Sequence, residues 1–195
     1  MDAAAFAPPP DLGFVPARLS AIDAFIKTRY LDSGKLPHAQ LLIARDGRIA
    51  HFSHQGAARE GGAPVDPESI FRIASMTKPV TSIAFMQLVE EGKVALDTPV
   101  HRVLPEFKGI GVYDGGGGGV PSATTPTAGP MRMVDLLRHT SGLTYGFQNR
   151  GNVDAAYRDG RIESWHGNLD LDGFVAALGK LPLEFSPGEA WNYSV

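Results

Sequence analysis

A serine and a lysine three residues apart, in Ser75-Met76-Thr77-Lys78, form the first pair in this chain that could do chemistry together. At i and i+3 on the first turn of a helix the two side chains share a face, so hydroxyl and amine can meet without distortion. A serine hydroxyl is a weak nucleophile until a base takes its proton. For lysine to be that base its pKa must fall from about 10.4 toward neutrality. Such a fall is about three units or roughly 4 kcal/mol, which burial and the positive end of a helix could supply. The same helix start aims the Ser75 backbone N–H at a developing oxyanion. Ser-x-x-Lys is common in helices, where it reads as an N-terminal serine and a solvated lysine. Here the apolar run Phe71-Arg72-Ile73-Ala74 delivers the serine directly to a helix start, as a nucleophile requires.

The elements that position this pair follow from periodicity. Leu19, Ile22, Phe25 and Ile26 recur at helical spacing, which predicts an amphipathic helix over 18–33 whose stripe covers a sheet. That sheet starts as a hairpin, Gln40 to Arg45 and Arg48 to Gln55, about the turn signal Asp46-Gly47. The nucleophile helix is expected over 75–91, with Pro79 tolerated in its first turn, Val80, Ile83, Ala84, Gln87 and Leu88 on its faces, and Gly92 ending it. Short helices are expected over 133–138 and 171–178. Ahead of both, 109–130 is of low complexity; its glycines 115–119 lack the Gly-Lys-Ser/Thr ending of a phosphate loop and read as a flexible loop.

Composition narrows the partners. With 18 Lys and Arg against 21 Asp and Glu, the chain has no basic footprint for nucleic acid, and no apolar run reaches the roughly 18 residues of a membrane span. There is no cysteine, which excludes thiolate catalysis and Cys-based zinc sites. His51 and His54 lie three apart on a strand and face opposite sides, so they share no metal, and no cofactor is called for. The start of the chain has no basic run, and three prolines interrupt it, so a cytoplasmic location is expected. No Gly-x-Ser-x-Gly elbow is present, against an α/β-hydrolase fold. His139 and Ser141 could be imagined as base and nucleophile, but nothing orients them; His139-Thr140-Ser141-Gly142 reads as a helix end with a capping turn. Asn192-Tyr193-Ser194 matches a glycosylation sequon.

Residues 69–79, Ser-Ile-Phe-Arg-Ile-Ala-Ser-Met-Thr-Lys-Pro, resemble the nucleophile segment of the serine β-lactamase and penicillin-binding superfamily. Three further segments follow in the order that superfamily has them. Gly92 to Val100 with Leu104-Pro105-Glu106-Phe107 is similar to the stretch after the nucleophile helix in class C β-lactamases and their esterase relatives. Leu136 to Leu143 resembles their His-Thr-Ser-Gly-Leu segment, and Ser186 to Ser194 resembles the approach to their catalytic tyrosine. Four ordered matches make chance implausible.

The resemblance implies a β-lactamase/transpeptidase-like fold, α/β plus all-α: an antiparallel sheet flanked by helices, with a helical domain. Residues 1–72 would be the N-terminal part of the α/β domain, and 73–195 the mostly helical domain with the nucleophile helix and the tyrosine box. It implies Ser75, Lys78 and Tyr193 as the catalytic groups, Lys78 and Tyr193 sharing the Ser75 proton. By analogy Tyr145 lines the acyl pocket. Tyr193-Ser194-Val195 has valine where β-lactamases and peptidases keep asparagine, a version closer to family VIII carboxylesterases. The implied function is a serine carboxylesterase acting on small-molecule esters, with possible side activity on β-lactams. A β-lactamase or D-alanyl-D-alanine peptidase is the alternative, and a non-catalytic penicillin-recognising module is the alternative of another class. The family carries its second oxyanion donor on a strand after the tyrosine; Trp165-His166-Gly167 resembles that strand but precedes it. A C-terminal half, as a continuation or a second chain, is therefore the expected partner.

Overall fold

A computed structural model of the chain describes residues 5–59, 61–115, 124–163 and 169–195. The remaining glycines of the run, 116–119, and Trp165-His166-Gly167 lie outside the described residues. The chain forms two compact units, Met1–Ala74 and Ser75–Val195.

In the first unit helix α1, Pro16–Ile26, opens on a proline, whose missing N–H costs nothing at the first helical position. It runs on as a π turn, Lys27–Leu31, which Ser33 Oγ closes by donating to the Arg29 carbonyl at 2.8 Å. Strands β1, His38–Arg45, and β2, Arg48–Gly56, pair antiparallel, with Arg45 opposite Arg48. Asp46 and Gly47 take φ of 52° and 72°, the two positive values a type I′ turn needs.

The stripe expected on α1 divides in two. Leu19 is buried and Asp23 and Ile26 are half-buried, so the face at i, i+4, i+7 is the covered one. Ile22 and Phe25 stay exposed, Phe25 against the edge of Tyr30 at 5.9 Å. The reason is polar: Asp23 accepts a hydrogen bond from Ser53 Oγ at 2.5 Å and pairs with His51 at 2.9 Å, both on β2, which turns that side of the helix to the strand.

In the second unit helix α2, Thr77–Glu90, ends in a Schellman motif: Lys93 N–H donates to the Leu88 carbonyl and Gly92 N–H to that of Val89, with Gly92 at φ 69°. Turns at Val100–Arg102 and Pro105–Phe107 lead to β3, Val112–Tyr113, which pairs with β4, Thr124–Thr125. Helices α3, Met133–Leu137, α4, Asn152–Asp159, and α5, Leu171–Leu178, follow. An aspartate at the start of each takes up a free backbone N–H: Asp135 and Asp154, the third residues of their helices, accept from Arg132 N and Gly151 N, and Asp170, just before α5, accepts from Gly173 N, at 3.0, 3.0 and 2.8 Å.

The core of this unit joins Val100, Phe107, Met131, Leu143, Tyr157 and Leu183 to their neighbours, and Phe85 of α2 packs against it. Leu183 is fully buried, which contributes about 1.5–3 kcal/mol. Its backbone is also tied to the β3 segment, donating to the Gly111 carbonyl and accepting from Tyr113 N, both at 2.9 Å.

Candidate active site

Ser75 sits in a single 3-10 turn, Ala74–Met76, and α-helical geometry starts only at Thr77. The helix therefore begins two residues later than expected. Immediately before Ser75, Ala74 has a left-handed φ of 47°. A non-glycine residue held there stores about 1–3 kcal/mol.

Lys78 lies one residue into α2, on the half-buried face it shares with Ser82, Phe85 and Val89, again i, i+4, i+7 and i+11. The faces expected from Val80 and Ile83 are exposed instead. Packing of Phe85 against the core fixes the roll of the helix, and with it the direction of Lys78.

Tyr193 comes from the opposite end of the unit, on a segment laced to the turn after α3. Gly188 N donates to the Thr140 carbonyl at 2.8 Å and Asn192 N to that of His139 at 2.9 Å. The Asn192 side chain is buried, and its amide nitrogen donates to Leu143 O, Thr144 Oγ1 and Glu184 Oε2 at 3.2, 3.0 and 2.9 Å. Gln148 Nε2 holds the Tyr193 carbonyl at 2.5 Å.

These elements bring the expected residues together. The Tyr193 phenol faces both Ser75 and Lys78, whose polar groups act on its ionisation. Lys78 Nζ donates to the Tyr145 hydroxyl at 2.7 Å and stands 4.9 Å from the centre of the Tyr193 ring. The two tyrosine rings lie 5.4 Å apart, Phe147 stacks on Tyr145 at 4.8 Å, and the His139 ring lies 4.7 Å from that of Tyr193.

The electrostatics reverse one expectation. Burial works to lower the Lys78 pKa, but the phenols of Tyr145 and Tyr193 stabilise its ammonium more, and the net shift is upward. Lys78 is thus poised as a cation, and its pKa does not fall toward neutrality. Tyr193 moves the other way: the Ser75 hydrogen bond and the Lys78 hydrogen bond and charge outweigh burial and hold its phenol below the usual value. His139 is held below its usual value by burial and by the Lys78 charge.

Sequence reasoning missed two features. Tyr145, expected at the acyl pocket, also bonds Lys78 directly through its hydroxyl, a contact its position in the sequence did not announce. Gln148, which holds the Tyr193 carbonyl, carried no signal, and His139, which accepts the Ser194 N–H, was read only as part of the capping turn and as an unoriented neighbour of Ser141. Outside the cluster, His54 Nδ1 contacts the Val65 carbonyl while His51 pairs with Asp23. Among the described residues no three His, Cys, Asp or Glu could hold a metal ion, and no helix is long and apolar enough to cross a membrane.

The chain matches the Beta-lactamase family over residues 22–195 and belongs to that family. Its fold is the β-lactamase/transpeptidase-like one, here as helices with small antiparallel sheets. It is 35% identical over 189 residues to esterase EstB of Burkholderia gladioli, a match covering 95% of this chain and 43% of that protein. Among solved structures it is similar to EstCE1, a hydrolase with promiscuous acyltransferase activity, with a TM-score of 0.73 at 28% identity, over 90% of this chain and 43% of that one. Simvastatin synthase LovD from Aspergillus terreus, in its LovD6 mutant, gives 0.66 at 28% identity, over 93% and 43%. The chain spans 39–43% of the length of the first curated relatives it matches.

Proposed function

We propose that the protein is a serine carboxylesterase of the family VIII type, which hydrolyses or transacylates small-molecule esters through an acyl-enzyme on Ser75. The observation that carries this reading is the convergence of three groups from distant parts of the chain: Lys78 Nζ stands 4.9 Å from the centre of the Tyr193 ring, and the Tyr193 phenol faces Ser75 and Lys78, which hold it below its usual pKa. The esterase EstB and hydrolase EstCE1 among its relatives support an ester substrate.

In this reaction the Tyr193 phenolate takes the Ser75 proton as Oγ attacks the ester carbonyl carbon. The Ser75 backbone N–H donates to the oxyanion. Collapse breaks the bond to the alkoxide, which takes the proton back from Tyr193. Water or an acceptor alcohol then gives its proton to Tyr193 and attacks the acyl carbon; as the bond from that carbon to Ser75 Oγ breaks, Oγ takes the proton back from Tyr193, which restores the hydroxyl and the phenolate. Lys78 remains an ammonium throughout and stabilises the phenolate, and Tyr145 fixes Lys78.

Fluorophosphonate labelling of the full-length protein tests the nucleophile: Ser75 carries the label, and Ser75→Ala carries none. A folded wild-type protein that stays unlabelled would overturn the assignment. Turnover of nitrocefin far above that of short-chain p-nitrophenyl esters would transfer the reading to a β-lactamase.

A further inference from the structure

The end of α3 holds a residue that a helix end does not call for. Thr140 N donates to the Asp135 carbonyl at 2.9 Å and His139 N to that of Leu136 at 3.4 Å, a Schellman motif with His139 at φ 59°. Glycine is the usual occupant of that left-handed position, because a β-carbon is strained there. Helix α2 closes with the same motif and has Gly92 in it. An imidazole is thus placed where closing the helix gains nothing from one.

Its contacts all run to one segment. His139 Nδ1 lies 3.3 Å from Ser194 N and 3.3 Å from Ser194 Oγ. A backbone N–H can only donate, so Nδ1 is the acceptor and the ring proton sits on Nε2. The ring lies 4.7 Å from that of Tyr193 and meets Trp191 edge-on at 6.2 Å, and the His139 carbonyl accepts from Asn192 N at 2.9 Å. One residue therefore touches four successive positions, 191–194.

We propose that His139 is a positioning residue for Tyr193: its neutral ring packs on the phenol and accepts the Ser194 N–H at Nδ1, and a proton on Nδ1 dismantles that hold. This rests on the reading of Tyr193 as the group that carries the Ser75 proton. The charged and titratable groups facing the imidazole are the Lys78 ammonium from α2 and the Tyr193 phenol from the C-terminal segment. On its own element, Asp135 is taken up by Arg132 and Thr140. Protonation would oppose two donors, Nδ1–H and Ser194 N–H, and set a second cation beside Lys78. Burial and the Lys78 charge both resist that, so the holding form prevails at neutral pH.

The test uses the full-length protein and two variants. His139→Asn tolerates the left-handed backbone and keeps a side-chain oxygen but has neither ring nor titration; His139→Gly relieves the backbone and removes the side chain. Rates of Ser75 labelling and of ester turnover are followed from mildly acidic to mildly alkaline pH, with melting temperature as a check on folding. In the wild type the acid limb of kcat steepens from one-proton to two-proton slope where His139 titrates. In both variants the limb keeps a one-proton slope and kcat at neutral pH falls roughly tenfold, KM staying unchanged, as expected for a misplaced proton acceptor. Variants with the wild-type kcat and an unchanged acid limb would make His139 a helix-ending residue alone and overturn the inference. An unlabelled wild-type Ser75 overturns the reading of the site and the inference with it.

Discussion

The hydroxyl of Tyr145 accepts a hydrogen bond from Lys78 Nζ at 2.7 Å, across 67 positions of sequence, and so helps to keep the lysine charged. Removing that acceptor with Tyr145→Phe lets Lys78 lose its proton at lower pH. The alkaline limb of kcat/KM then moves down in pH, and activity at neutral pH falls roughly tenfold, the worth of one hydrogen bond to a charged group. A pH–rate profile against a p-nitrophenyl ester measures both; a Tyr145→Phe limb coincident with wild type would show that Lys78 does not depend on this phenol.

Tyr193→Phe removes the proton carrier and lowers kcat by about 10²–10⁴ with the fold intact. A subtler effect follows in Ser75→Ala. The hydrogen bond to Ser75 is the largest influence lowering the Tyr193 phenol, so its loss moves that pKa back up toward 10.0. Ultraviolet difference titration of phenolate, wild type against Ser75→Ala, reads the rise.

Gly142 stands at φ 87°, and a β-carbon there would lie 2.3 Å from the Phe185 carbonyl oxygen and 2.9 Å from Leu183 Cβ. Gly142→Ala combines backbone strain with a clash against main chain, a loss of about 2–4 kcal/mol. Gly92 is left-handed too, with nothing within 4 Å of such a carbon. Gly92→Ala therefore costs only the backbone strain, about 1–2 kcal/mol. Chemical denaturation of the two variants separates crowding from strain.

Asp135 is buried and accepts hydrogen bonds from Arg132 N, Arg132 Nε and Thr140 Oγ1. Burial alone would raise its pKa; the Arg132 and Thr140 hydrogen bonds outweigh it and the carboxyl sits below 3.8. A lowered carboxylate contributes stability above its unfolded pKa and loses it as pH falls through the folded one. Asp135→Asn thus costs about 2 kcal/mol at neutral pH, and the gap to wild type closes only below 3.8. Melting curves across that range measure it.

How far the sequence carries can be seen residue by residue. Ser75, Lys78 and Tyr193, which the fold brings near one another, were singled out by a local feature, an apolar approach to a helix start, and by the order of four segments. The hairpin followed from Asp46-Gly47, whose backbone requirement is local. The covered faces of α1 and α2 were misread because apolar spacing alone does not say which stripe finds a partner. On α1 the choice was made by Asp23, on α2 by Phe85. Helix α4 was not foreseen, although Val153, Asp154, Ala156 and Tyr157 lie on one helical face and are all buried. The charge of Lys78 was misjudged for a related reason: its sign of shift depends on phenols from residues 145 and 193, which only the fold delivers.

The buried amide of Asn192 bears on how the protein can be produced. Its sequon is readable to a glycosylating enzyme only on an unfolded chain, because folding spends the amide nitrogen on Leu143, Thr144 and Glu184. A sugar attached during secretion from a eukaryotic host would occupy that slot first and keep the neighbouring tyrosine from docking. Secreted material would therefore divide into unsugared, competent molecules and glycosylated, misfolded ones. Exchanging Ser194 for alanine would abolish the sequon and the second population together.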